Sequence, residues 1–163
     1  MANIIQGGDL MLFVNTAVNG DPVYKSIGFA TNHTLEINAE TSDVASKDHG
    51  IWNTKEIKTF SWSCSSENLY SNDEEGVGYA ELFEYMVAKK HIKAVFSLHA
   101  DGVGVSGLAV PSGGWSPTST SGQPKLEGEM VISSLSLNAP NGDNATFTVN
   151  FEGASELKKS TVA

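Results

Sequence analysis

The segment that most constrains the fold is residues 126–157, LEGEMVISSLSLNAPNGDNATFTVNFEGASEL. Ala145, Phe147, Val149 and Phe151 alternate with Thr146, Thr148, Asn150 and Glu152. A period of two marks a strand with one buried face, because successive side chains leave the pleat on opposite sides. Upstream, Val131, Leu135 and Leu137 share one parity while Met130 and Ile132 take the other. That strand is either buried on both sides or bulged near Ser133-Ser134. Between the two runs, Pro140 fixes φ and Asn141-Gly142 tolerates positive φ, which suits a tight loop. Neither strand carries a catalytic constellation. The hairpin is built to pair.

The remainder of the chain reads as further strands and one helix. Leu10 to Val14 is a short apolar run bounded by Gly7-Gly8 and Asn19-Gly20-Asp21-Pro22, long enough for a buried strand only. Tyr24–Thr31 and His33–Ala39 are two more strand candidates, and in the second Leu35 and Ile37 alternate with Thr34, Glu36 and Asn38. Residues 40–56 lose the pattern and are expected to form a long loop. From Ile57 to Ser65, Phe60, Trp62 and Cys64 oppose Ser61, Ser63 and Ser65, giving one apolar face and one small polar face. Tyr79, Leu82, Phe83, Met86 and Val87 fall at helical spacing and predict an α-helix over about residues 78–89, its apolar stripe packed on a sheet. Asp73-Glu74-Glu75 before it and Lys89-Lys90 after it suit the helix dipole. His91–His99 is a strand. Residues 100–124, with six glycines, three prolines and a single charge at Asp101, are expected to form a second long loop, and 156–163 a short tail. The fold class is therefore mainly β, a β-sandwich or barrel with one flanking helix, in a single domain spanning residues 1–163.

Composition removes several classes of function. The net charge is −9, and all ten basic residues are lysines. Stable nucleic-acid binding needs clustered cations, usually with arginine for bidentate phosphate contacts, so it is not expected. The N-terminus lacks the signal-peptide pattern, and no apolar run approaches the roughly 20 residues that span a bilayer. Cys64 is the only cysteine, which rules out an internal disulfide and a cysteine-based zinc site, and points to folding in a reducing cytoplasm.

Enzymatic motifs are missing as well. There is no G-x-S-x-G, P-loop or H-E-x-x-H, and Gly102–Gly107 departs from dinucleotide-loop spacing. His91 and His99 share a parity but lie too far apart to form a ligand pair unless His33 or His49 and a carboxylate converge on them. Glu127 and Glu129 share a parity that Glu152 can approach from the partner strand; in so acidic a chain this is a solvated row rather than an acid–base pair. Trp52 and Trp115 lie in expected loops, where an exposed indole stacks on sugars or partner subunits. No enzyme, cofactor or metal site is expected. A glycan-binding β-sandwich module is the alternative from another class.

Several blocks in order resemble the tail tube (major tail) proteins of long-tailed bacteriophages. They are Gly7-Gly8-Asp9-Leu10, IGFATNHTLEINAE from Ile27, SDVASKDHG from Ser42, Phe60-Ser61-Trp62, Ser65–Tyr70, YAELFEYM from Tyr79, and LSLNAPNGDNATFTVNF from Leu135. The resemblance implies a β-sandwich or barrel with a flanking helix. It implies a structural virion protein that assembles into stacked six-fold rings, forming a hollow tube around a tape-measure protein and conducting DNA into the host. Tail-tip or terminator proteins would be further partners, and DNA would pass without stable binding. Tubes of contractile tails and of phage-tail-like injection devices share the subunit fold, so that variant stays open. Under this reading Asp43, Lys47, Asp48, His49, Ile51 and Trp52 in the first long loop are candidates for an inter-ring or inter-subunit arm. Glu36, Glu127, Glu129 and Glu152 are candidates for acids facing the lumen. Synthesis in the bacterial cytoplasm and residence in the virion tail follow from the same resemblance.

Overall fold

The computed structural model describes residues 4–5, 7–17, 19–44, 50–71, 77–99, 115–119 and 121–163. Among these residues, eight strands and one helix follow the chain: β1 Leu10–Asn15, β2 Tyr24–Ser26, β3 Ala30–Val44, β4 Thr54–Leu69, α1 Tyr79–Val87, β5 Ile92–Leu98, β6 Pro124–Asn138, β7 Thr146–Gly153 and β8 Lys158–Thr161. All strands join one antiparallel sheet in the order β2-β1-β5-β6-β7-β4-β3, with β8 paired to β6 beside the end of β7.

Connectivity forces this sheet to curl. Laid flat, seven strands at about 4.8 Å spacing would hold β2 and β3 roughly 29 Å apart. Yet β2 and β3 are consecutive in the chain, and only Ile27–Phe29 link them. Those residues reach about 14 Å at full extension. The sheet therefore rolls until its two edges approach each other. The link is tied on both sides: Val77 exchanges backbone hydrogen bonds with Ser26 and Gly28, and the Leu69 amide donates to the Phe29 carbonyl at 3.0 Å.

A side chain bridges the seam. The Leu12 amide on β1 donates to His33 Nδ1 on β3 at 3.2 Å. Nδ1 is thus an acceptor, so the ring is neutral with its proton on Nε2, and Nε2 has no hydrogen-bond partner. Burial holds the His33 pKa down at about 4.

The alternations read from the sequence pair as one apolar face. Leu35, Cys64 and Phe151 fall in register across β3, β4 and β7, as do Ser66 and Val149, then Asn68 and Phe147. On β6 the register shifts between Ile132 and Ser134, a bulge at Ser133. It resets the parity so that Met130 and Ile132 before it and Leu135 after it all face the core. Trp62 lies across this face in a slot made by two glycines. A Cβ on Gly128 would come within 2.8 Å of the indole, one on Gly153 would overlap it, and the Trp62 indole N–H donates to the Ser155 carbonyl at 2.7 Å. At β1 and β5 the opposite face is covered too, since Phe13 and Val95 are also buried.

Three sequence expectations change. Residues 40–56 are not a free loop: cross-strand pairing carries β3 to Val44 and β4 from Thr54, so a two-stranded arm runs out past the sheet. Residues 156–163 are not a tail, because β8 pairs with Pro124–Glu127. The Tyr24–Thr31 strand is interrupted, since Ile27–Phe29 form the link. Most of the second expected loop, 100–114 and 120, lies outside the described residues; within its remainder Pro117 bridges to His99.

The helix appears where its periodicity predicts, but its buried face is rotated. Leu82 is fully buried with Tyr79 and Tyr85 packed beside it, whereas Phe83, Met86 and Val87 are exposed. Edge-to-face contacts of Tyr79 with Tyr70 and Phe147, at 5.7 and 5.6 Å between centroids, fix its start. At its C-terminus the Lys89 and Lys90 amides donate to Met86 and Tyr85 in a Schellman closure, with Lys89 at φ 55 where glycine is usual. Asp73, Glu74 and Glu75 lie outside the described residues.

Two stability measurements check these contacts. Gly153→Ala should lower the unfolding free energy by about 1–3 kcal/mol through overpacking against Trp62, read by denaturant titration with unchanged slope. For His33, the unfolded chain takes up a proton below pH 6.5 that the folded chain refuses until about 4. Stability should therefore be complete above pH 6.5 and fall by on the order of 3 kcal/mol as the pH drops to 4. A His33→Gln variant should lose distinctly less over that interval.

Candidate assembly surfaces

The arm is the most exposed part of the fold. Its pairs run Ile37↔Trp62, Ala39↔Phe60, Glu40↔Thr59, Thr41↔Ile57 and Val44↔Thr54, with a bulge opposite Glu40 and Thr41 that leaves Lys58 unpaired. The core-facing side of β3 and β4 continues outward along it, and the bulge at Lys58 shifts the parity of β4 so that Ile57 joins Phe60 on that side. Cys64 and Trp62 are covered by the domain, but Ile37 (55% exposed), Ile57 (54%) and Phe60 (73%) are not. At the tip Ile51 and Trp52 are 95% and 79% exposed. An apolar stripe thus leaves the core and runs into solvent. Polar contacts brace the ribbon: Lys55 pairs with Asp43 at 3.0 Å, and Thr59 Oγ1 donates to Glu40 at 3.0 Å. An isolated two-stranded ribbon is marginal in water.

Of the sequence-expected arm residues, Asp43 pairs with Lys55 on the ribbon, and Ile51 and Trp52 are exposed where the chain returns into β4. Lys47, Asp48 and His49 lie outside the described residues. Ile37, Ile57 and Phe60 were missed. For Ile37 and Phe60 the signal was the core parity of β3 and β4, which continues past the point where the rest of the sheet stops; Ile57 reaches the same face only through the bulge at Lys58.

The four expected acids all fall on the sheet face turned away from the core, yet in two settings. Glu36, Ser63, Glu152 and Val131 stand in one cross-strand row. The flanking rows are Thr34, Ser65, Asn150 and Ser134 on one side, and Asn32, Glu67, Thr148 and Ser136 next along. Over β3, β4, β7 and the end of β6 these rows hold serine, threonine, asparagine and glutamate beside Val131, and no lysine. Asn150 and Ser134 are joined at 2.7 Å, which ties the face together at the bulge. Glu127 and Glu129 lie elsewhere, among cations. Glu127 is 3.7 Å from Lys125 and in register with Lys158, while Glu129 is opposite Lys93. Tyr24, Lys93, Glu127, Glu129 and Lys158 line an open groove of about 520 Å³. Burial, and secondarily the Glu127 charge, push the Tyr24 pKa up. The four expected acids therefore fall into two groups, and Glu67 joins Glu36 and Glu152 on the cation-free part.

His33, His99 and Trp115, the second loop tryptophan, are committed to the fold. His99 is buried with Nε2 3.3 Å from Asp9, and its ring packs against Trp115 at 4.3 Å. Trp115 exchanges backbone and side-chain hydrogen bonds with Ser26. Only Trp52 offers an open indole among the described tryptophans. His91 is exposed and eight positions from His99, and no three metal-ligating side chains converge among the described residues. Burial pushes the Cys64 thiol up to about 12, so it is not a thiolate nucleophile at neutral pH.

The family model for the phage tail tube protein matches residues 4–159. The chain belongs to the phage tail tube protein family. A search of curated protein sequences returned no significant match. Among solved structures, the tail of the empty gene transfer agent particle, computed with C6 symmetry, aligns at a TM-score of 0.67 with 16% identity, covering 95% of this chain and 98% of that one. The SPP1 tail tube aligns at 0.62 with 9% identity, covering 97% and 80%. The sheath–tube complex of an extracellular contractile injection system aligns at 0.58 with 11% identity, covering 98% and 93%. At these identities the likeness is one of fold, and that fold is the tail tube fold. As a member of this family the chain is a structural component of the virion tail.

Proposed function

We propose that six copies of this chain close into a ring and that rings stack into the hollow tube of a phage tail. The observation that carries the reading is the arm. A monomer that runs its core stripe into solvent over Ile37, Ile57 and Phe60 leaves apolar surface whose burial is worth about 1.5–3 kcal/mol per side chain. Packing on a neighbouring copy recovers that energy and braces a ribbon that is marginal alone. The C6 symmetry of the gene transfer agent tail supports the ring number. Likeness to an injection-device tube supports the contractile variant equally, because both use one subunit fold.

The cation-free face carrying Glu36, Glu67 and Glu152 is assigned to the channel. Fixed lysines on a channel wall would bind DNA through counterion release and slow its passage. Small polar side chains interspersed with carboxylates repel the polyanion and offer it no purchase. Glu127 and Glu129, compensated by nearby lysines, are assigned to contacts outside the channel. A tape-measure protein within the tube, tail-tip and terminator proteins at its ends, and synthesis in the host cytoplasm complete the proposal.

Electron microscopy of the purified protein should show rings or tubes at high concentration; a chain that stays monomeric throughout would contradict assembly. Replacing residues 45–53 with an Asn-Gly turn should leave the monomer's melting temperature unchanged and raise the concentration needed for tubes at least about tenfold, equivalent to about 1.4 kcal/mol per contact. Glu36→Lys with Glu152→Lys should leave tubes intact but reduce DNA ejection, the defect easing as salt rises. Normal infection by that variant would remove electrostatic repulsion as the role of these acids.

A further inference from the structure

Helix α1 is apolar on more of its circumference than the domain covers. Leu82, Tyr79 and Tyr85 turn toward the sheet, where α1 packs on β6. Phe83 (52% exposed), Val87 (65%) and Met86 form an adjacent flank that meets solvent. A helix hydrophobic on two sides is the middle layer of three. The domain supplies one outer layer only.

The missing layer has to be a surface of the kind the helix already covers, and the chain carries one. The arm presents the same face of β3 and β4 that lies under the domain, displaced beyond the sheet and bare at Ile37, Ile57 and Phe60. Within one copy the arm and this flank do not cover each other, since both are exposed. Two different patches that fit each other give a head-to-tail contact, which closes into a ring or propagates as a helix.

We propose that the Phe83–Met86–Val87 flank of α1, rimmed by Lys89 and Lys90, is the seat for the β3–β4 arm of a second copy. This rests on the reading of the chain as a tube subunit and names the surface that receives the arm. Each copy then contributes one arm and one seat. The helix lies between its own sheet and its neighbour's ribbon.

The test uses the full chain with Phe60→Cys and Phe83→Cys, singly and together, and a short bis-maleimide; Cys64 is buried and serves as the internal background. Assembled tubes of the double variant should give a ladder of cross-linked multimers, and mixed tubes of the two single variants should stop at dimers. Each single variant alone should stay monomeric on a denaturing gel. Phe83→Ser, at an exposed position, should raise the concentration for tube formation roughly tenfold with no change in monomer melting. Failure of the wild-type chain to form rings or tubes would instead remove the tube reading itself. Tubes that form normally, give no ladder, and leave the thiol introduced by Phe83→Cys open to a bulky maleimide would overturn the seat and leave α1 facing solvent or a different protein.

Discussion

The link Ile27–Phe29 is the constraint on which this architecture depends. By joining the two edge strands of a seven-strand path with three residues, it makes a flat sheet impossible. Rolling the sheet gathers the apolar faces of β1, β5, β6, β7, β4 and β3 around one core, which Trp62 and Leu82 fill. The seam left by the short β2 is bridged by His33, a neutral side chain accepting a backbone bond at a point where β1 lacks a strand partner on that side. Closure through an uncharged histidine couples the fold to pH in the acid direction only.

Once the sheet is curled, its strands are of unequal length, and the excess has to go somewhere. β3 and β4 overrun β7 and become the arm. Their inner residues keep to the core-facing side, so the arm inherits an apolar stripe with nothing of its own to cover. The outward face of the same strands is serine, threonine, asparagine and glutamate. One pair of strands thus supplies both surfaces proposed for assembly: a sticky stripe on one side, and on the other a smooth acidic wall.

Much of this was legible from alternation. The strands at 92–98 and 146–152, and the helix, follow from periodicity, whereas the strand at 10–14 shows as a continuous apolar run because both of its faces are buried. The bulge at Ser133 was visible as a switch of parity between Ile132 and Leu135. Strand pairing at 40–44 and 54–56 was not, because those pairs pack against nothing in the monomer and the sequence there is under no pressure to alternate apolar with polar. β8, with its Lys158-Lys159-Ser160-Thr161, is held by backbone bonds to an existing edge and likewise carries no hydrophobic signature. The rotation of α1 escaped because periodicity finds an apolar stripe without saying how much of it one domain covers. Parity grouped Glu127 with Glu129 only, and did not say which face of β6 they share. Separating Glu36 and Glu152 from Glu127 and Glu129 required the cross-strand register, which brings Lys93, Lys125 and Lys158 beside the latter two.

The measurement that bears most directly on the channel assignment is a helical reconstruction of the assembled protein by electron microscopy at side-chain resolution. The expected channel wall is the outward face of β3, β4 and β7, with Glu36, Glu67 and Glu152 at its surface and no lysine between them. A tube whose channel is lined instead by Lys93, Lys125 and Lys158 would contradict it.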